Sequence, residues 1–287
     1  MTVRSAIARL TDHEGLNFLL TNRVPRRALT RFVGRFSRIE QPLVRDLSIA
    51  MWRLFCDVDL SDARKSSFAS MRDCFTRELR EGARPIDPDH GVLVSPCDAI
   101  VGAAGTVVEN ELLQVKGAPY TLEELLCDAE LAALYRNGRY ATLRLTAGMY
   151  HRFHAPFDCR VDQVTHIAGD AWNVNPSALK RVEKIYCKNE RAVLRLDLGG
   201  GQIVTLVAVA AILVADVRLR FLDIPVEGRD RDWTARPLDV RLAKGEEMGW
   251  FEQGSTIIAL APDGFSLCDT IQPGHRIRMG EPLLLRP

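Results

Sequence analysis

Residues 192–214 read AVLRLDLGGGQIVTLVAVAAILV, and this stretch decides the fold class. Two runs rich in Val, Leu and Ile flank three consecutive glycines and Gln202. Glycine tolerates the positive φ of a tight turn, and β-branched residues suit a pleated, half-buried surface. RLDL-GGGQ-IVTL therefore predicts an antiparallel hairpin. Its second arm, IVTLVAVAAILVA at 203–215, is the nearest approach to a membrane span. It falls short of the roughly 18 apolar residues such a helix needs, and its Val and Ile content predicts a buried strand.

Outward from the hairpin the same texture continues. GVLVSP, DAIVGAAGTVV, ELLQVKG, YATLRLTAG, DVRLRFLD and STIIALAP are short β-rich runs bounded by Gly, Pro and Asp. TLEELLCDAELAALYRNG, 121–138, is the one clear helix among them, with Thr121 and Glu124 placed as a capping box. The N-terminal part is different. Between 25 and 55, Leu29, Phe32, Val33, Phe36, Ile39, Leu43, Val44 and Leu47 recur at helical spacing, and Pro42 breaks or restarts the helix. A second helix is predicted over 61–80 with Ser61 as N-cap, and GARPIDPDHG is a turn-rich connector. The expected fold class is α+β: a helical N-terminal segment, 1–60, then a mainly antiparallel β domain with few helices, 61–287.

At 287 residues, 47% hydrophobic and 26% charged, the chain has the composition of a globular protein with a core. A net charge of +1 gives no global attraction for nucleic acid. Seven scattered cysteines without a CxxC exclude a disulfide framework and a structural zinc site, and suit a reducing compartment. Charge is uneven, however. Arginines 23, 26, 27, 31, 35, 38, 45 and 53 are opposed only by Glu40 and Asp46 over that stretch. The basic amphipathic helix has two readings from its own residues: packed on its domain with a solvated basic face, or lying in an anionic membrane surface.

Three stretches carry candidate chemistry. SPCDAIV places Asp98 in a turn, MYHRFHAPFD places His151 and His154 three residues apart, and FEQGSTIIAL places Ser255 after Gly254 at the mouth of an apolar run. Ser, His and Asp together permit nucleophilic catalysis. The absence of G-x-S-x-G excludes the usual α/β-hydrolase elbow, and HxxH without H-E-x-x-H has no third metal ligand at a known spacing. Each residue alone also fits an ordinary core or turn role.

Taken together and in order, the motifs resemble the phosphatidylserine decarboxylases, a family of self-processing pyruvoyl enzymes. FTRELREGARPI (75–86), SPCDAIV (95–101), LLQVKGAPYTLEELL (112–126), YHRFHAP (150–156), NVNPSALKRVEKIYCKNERAVL (173–194) and KGEEMGWFEQGST (244–256) each resemble a family segment. The resemblance implies a zymogen that cleaves itself between Gly254 and Ser255 into a β chain, 1–254, and an α chain, 255–287. Ser255 Oγ would attack the Gly254 carbonyl, with His154 as base oriented by Asp98. Gly254 leaves room for that approach. An N-to-O shift, β-elimination and hydrolysis would convert Ser255 to a covalent pyruvoyl group with release of ammonia. That group would form a Schiff base with phosphatidylserine and serve as the electron sink for CO2 loss, yielding phosphatidylethanolamine for phospholipid biosynthesis. His151 is the implied general acid or positioning group, and Tyr150 a packed aromatic or an assistant to it. No metal is implied.

A lipid-headgroup enzyme without a span works at the bilayer surface, so the resemblance favours the membrane reading of the basic helix: a peripheral protein on the cytoplasmic side of the cell membrane, with homodimers common in the family. Three positions depart from the family pattern. Gln253 stands where Leu is usual, Met149 where many members have Asp, and Ala99 where Gly is usual. The alternatives are a pyruvoyl decarboxylase of another amine-bearing acid, a non-enzymatic lipoyl-like β module with Lys244 exposed, and a Ser-His-Asp hydrolase.

Overall fold

The computed structural model describes residues 26–113, 119–211, 217–222, 235–252 and 255–287. In chain order the elements begin with α1 (Arg26–Phe36), α2 (Pro42–Phe55) and α3 (Met71–Phe75). Then come β1 (Val92–Val94), β2 (Ala99–Thr106), β3 (Glu111–Leu113), β4 (Pro119–Thr121), α4 (Leu122–Leu126), α5 (Ala129–Ala133), β5 (Arg139–Leu145), β6 (Arg152–His154) and β7 (Cys159–Ile167). The short helices α6 (Pro176–Leu179) and α7 (Ile185–Lys188) precede β8 (Arg191–Asp197), β9 (Ile203–Ala210), β10 (Val217–Leu219), β11 (Arg236–Leu242) and β12 (Glu247–Phe251). The chain closes with β13 (Ser255–Ala261), β14 (Ser266–Leu267), β15 (Arg276–Ile277) and β16 (Pro282–Leu285).

The hairpin forms as the sequence predicts. Asp197 pairs with Ile203, and Gly199, Gly200 and Gly201 take φ of 81°, 63° and 79°. It belongs to an eight-stranded sheet ordered β11-β7-β8-β9-β13-β5-β2-β15, whose pairs are all antiparallel. Both faces of this sheet are covered by core, so its central strands read as continuous apolar runs. One face carries Leu143, Leu194, Leu206 and Ile257, and the other carries Tyr140, Val193, Val207 and Ile258. A smaller sheet, β10-β12-β6, holds the histidine-bearing strand. The mainly antiparallel α+β architecture with few helices is therefore as expected. Of IVTLVAVAAILVA, residues 203–210 form β9, and 212–215 lie outside the described residues.

The helices depart from expectation in two places. The helix predicted over 61–80 is only the five residues of α3, capped by Ser70 rather than Ser61. Local side-chain bonds compete with helix here: the Asp59 carboxylate accepts from Ser61 N, and Asp73 from Ala69 N. An antiparallel bridge from Ala63 to Leu79 turns the segment back on itself. The 121–138 helix begins with its capping box intact, then breaks at Cys127, which adopts φ 53°, before Asp128 caps α5. Pro42 acts as predicted: α1 ends at Phe36 and Pro42 opens α2, with Gln41 Oε1 accepting from Val44 N at 2.8 Å.

α2 packs along one edge only. Its Trp52 joins Cys74 and Phe75 in a small core, with Ile49 against it. Leu43 and Leu47, by contrast, are 77% and 66% exposed, and Met51, Leu54 and Phe55 continue the uncovered surface. On α1, Phe32 is 64% exposed and stacks on Phe36. The N-terminal residues 1–25, Arg23 among them, lie outside the described residues. No helix among the described residues is long and apolar enough to cross a membrane.

Candidate active site

β13 lies at the centre of the large sheet, and Ser255 is its first residue. The Ser255 backbone is held on both sides, paired with Leu145 of β5 and Ala210 of β9. Gln253 and Gly254 lie outside the described residues. The preceding strand, β12, ends at Phe251, whose N–H donates to the His151 carbonyl at 2.9 Å. The glycine of the E-M-G motif is needed for packing: a Cβ on Gly249 would sit 2.0 Å from the Arg218 carbonyl oxygen on β10. Glu252, the next residue, is buried. Arg72 hydrogen-bonds its carboxylate, with Arg38 at 3.6 Å and Arg218 at 3.4 Å.

β6 brings the two histidines next to this strand. Arg152 fixes it, with Nη1 donating to both Glu247 carboxylate oxygens at 2.7 and 3.0 Å and Nε and Nη2 to the Thr76 carbonyl at 2.9 and 2.7 Å. His154 is buried, and both ring nitrogens are engaged. Nδ1 is 2.9 Å from the Gly245 carbonyl, so Nδ1 carries the proton, and Nε2 accepts from the Tyr150 hydroxyl at 2.9 Å. Burial pushes the His154 pKa down, opposed by the Gly245 bond and the Glu247 charge. Burial likewise pushes the Tyr150 phenol up.

Asp98 does not hydrogen-bond to His154. Its carboxylate takes Arg84 Nε at 2.9 and 3.1 Å, Arg84 Nη2 at 2.6 Å, and the Met279 N–H at 2.9 Å. The two residues are still neighbours in the fold, because the His154 N–H donates to the Pro96 carbonyl at 2.8 Å in the turn that carries Asp98. His151 is fully buried under Phe75, ring centroids 4.0 Å apart. Its Nδ1 donates to the Met149 carbonyl at 2.8 Å, and Nε2 has no partner. Burial, aided by the Arg77 charge and opposed by the Met149 bond, pushes its pKa down to about 3. The ring is neutral at ordinary pH, with a bare lone pair on Nε2.

A cavity of about 600 Å³ opens where the central strands end. Arg144, Leu145, Thr146 and Ala147 line it in succession, so it wraps the strand end rather than one face of the sheet. Ala211 follows β9 into it, and Asn173, Val174 and Asn175 of the N-V-N-P stretch form a wall. Val33, Ser37, Trp52 and Cys56 roof it from α1, α2 and their flanks, and Phe75 separates it from His151.

Several of these residues lie in motifs that give no sign of their partners. Arg84 stands in the FTRELREGARPI stretch, and its pairing with Asp98 is found only by folding. Glu252 and Arg72 are 180 positions apart. Tyr150 was visible only as one half of the Tyr-His pair.

The sequence model of the phosphatidylserine decarboxylase family matches residues 71–285. The chain belongs to the phosphatidylserine decarboxylase family. Among relatives, the phosphatidylserine decarboxylase proenzyme of Methylibium petroleiphilum is 37% identical, the match covering 96% of this chain and 99% of the relative. Those of Chromobacterium violaceum and Anaeromyxobacter sp. are 34% and 36% identical, over 92% and 91% of this chain and 97% and 94% of theirs. The family match begins at α3 and runs from β1 to β16, so it takes in Asp98, His151, His154, Ser255 and most of the described cavity wall.

Proposed function

We propose that this chain is a phosphatidylserine decarboxylase that matures by cutting itself between Gly254 and Ser255 and releases phosphatidylethanolamine. One observation carries the reading: Ser255 opens the central strand, clamped by β5 and β9, at the end of the sheet where the cavity lies. A nucleophile fixed by two neighbouring strands needs little reorganisation, and the adjoining cavity admits a substrate headgroup.

In self-cleavage Ser255 attacks the carbonyl of Gly254, and His154 takes the hydroxyl proton. The tautomer supports this role, since Nε2 is the nitrogen that bears the lone pair. The Tyr150 hydroxyl now on Nε2 must yield to Ser255 or pass its proton along. Asp98 acts on His154 through the field of its charge, and through Arg84 it holds the 95–98 turn that the His154 backbone leans on. The buried clamp on Glu252 anchors the chain three positions before Ser255.

The residues at this strand end fit a covalent pyruvoyl group at position 255, because the adjoining Thr256 is wholly buried and anchored in the sheet. The pyruvoyl group supplies the electron sink for CO2 loss. His151 enters the reaction neutral, so it takes a proton at Nε2 before it gives one.

The N-terminal segment, 1–60, is the membrane-associating part, followed by the catalytic domain, 61–287. The uncovered row of Leu43, Leu47, Met51, Leu54 and Phe55, with Phe32 and Phe36, supports it: such a surface on the helices that roof the cavity suits an acyl-chain boundary. Seven free cysteines fit a peripheral position on the cytoplasmic side.

Denaturing mass spectrometry tests the processing step. Wild-type protein is expected as two chains, 1–254 and 255–287, and Ser255→Ala as one chain that releases no CO2 from phosphatidylserine in mixed micelles. A cleaved Ser255→Ala chain, or decarboxylation by it, would overturn the assignment.

A further inference from the structure

We infer that Arg144 is the anion-binding residue of the cavity and takes the phosphodiester of the lipid substrate. This deepens the proposed decarboxylation at Ser255 and rests on it. Arg144 lines the cavity, and among the described residues its guanidinium has no hydrogen-bond or ion-pair partner. Among the described residues lining the cavity, the other charged side chains, Arg72 and Glu252, are paired with each other. Arg144 is the charge of that lining left without a counter-ion. A partly buried guanidinium without a counter-ion is costly to keep, and a bound anion repays it.

The register puts Arg144 at the strand end that the cavity wraps, one position along from the Ser255–Leu145 pair. Arg144 stands opposite Thr256, and opposed residues of an antiparallel pair project from the same face. On that face Thr142 Oγ1, Thr256 Oγ1 and the Tyr186 hydroxyl are buried without partners. A lone guanidinium on the cavity wall suits the oxygens of a phosphodiester.

The other anion of the headgroup is the carboxylate. A guanidinium paired with it would stabilise the ground state and lose that partner as CO2 departs, which slows the step. The phosphodiester keeps its charge throughout. It lies only Cα, Cβ and one oxygen away from the serine nitrogen, so a headgroup reacting at position 255 brings it to the neighbourhood of Arg144.

The test compares phosphatidylserine in mixed micelles with O-dodecyl-L-serine, which keeps the amine and carboxylate but has no phosphodiester. In Arg144→Gln the ratio of kcat/KM for phosphatidylserine to that for O-dodecyl-L-serine is expected to fall about 10- to 100-fold, mainly through KM, with part recovered in Arg144→Lys. An equal loss on both substrates, or none on phosphatidylserine, would overturn the inference. Should Arg144→Gln fail to mature, the wild-type enzyme decides. sn-Glycero-3-phosphoethanolamine is then expected to inhibit turnover of O-dodecyl-L-serine at concentrations where ethanolamine does not, and equal inhibition would overturn the inference. An α chain that begins with unmodified serine would overturn the reading of the site, and this inference with it.

Discussion

At the scale of single residues, the Arg84–Asp98 pair and His151 show candidate site residues that also serve the packing. Asp98 neutralises Arg84 in a nearly closed environment, and Asp62 at 2.9 Å is the only other carboxylate on that guanidinium among the described residues. Asp98→Asn therefore has a cost in stability as well as in processing. In the uncleavable Ser255→Ala background, urea unfolding is expected to show a loss of about 1–3 kcal/mol; an unchanged midpoint would mean the pair is incidental. His151 gives a pH signature. Folded, its ring stays neutral down to about 3, whereas in the unfolded chain it ionises near 6.5. Within that window the unfolded state binds more protons, so stability rises with pH; the contribution is complete above the unfolded value and is lost on acidification. His151→Gln should remove a slope of up to about 1.4 kcal/mol per pH unit. Equal slopes for variant and wild type, by urea unfolding on the acid side, would contradict a buried neutral ring.

At the scale of elements, the paired helices and the central strands carry different duties. α2 spends one edge on Trp52, Cys74 and Phe75 and leaves Leu43 and Leu47 uncovered. Replacing both leucines by Ser should abolish most liposome flotation while the Trp52 core and the large sheet stay intact, because neither side chain reaches that core. Undiminished flotation on anionic vesicles would place the membrane contact elsewhere. The elements were legible in the sequence where a local signal sufficed. Three glycines announced the hairpin, Pro42 the start of α2, and Thr121 with Glu124 a cap. The failures have the opposite character. Nothing in 61–80 tells that Asp59, Ser61 and Asp73 outbid the helix, and Cys127 gives no hint of its positive φ. At the site, the motifs pointed to Asp98, His151, His154 and Ser255. The partners that define their state, Arg84 for Asp98 and Gly245 for His154, depend on chain segments meeting in space, and one sequence does not carry that information.

At the scale of the whole molecule, the large sheet is a frame that holds one serine at the end of its central strand. The helices roof the cavity beside it and present apolar side chains outward, so uncovered apolar surface, cavity and the start of β13 lie in succession. The N-E-R stretch that resembles the family serves this frame: Arg191 is buried and caps the carbonyls of Glu124, Leu125, Cys187 and Asn189, tying two helical turns to β8. The measurement that bears most directly on the account is the intact mass of the segment 255–287 from wild-type protein matured in cells, before and after borohydride. A mass short of the serine-headed peptide by one ammonia, gaining two hydrogens on reduction, is the predicted result. A serine-headed or uncleaved chain, inert to borohydride, would contradict it.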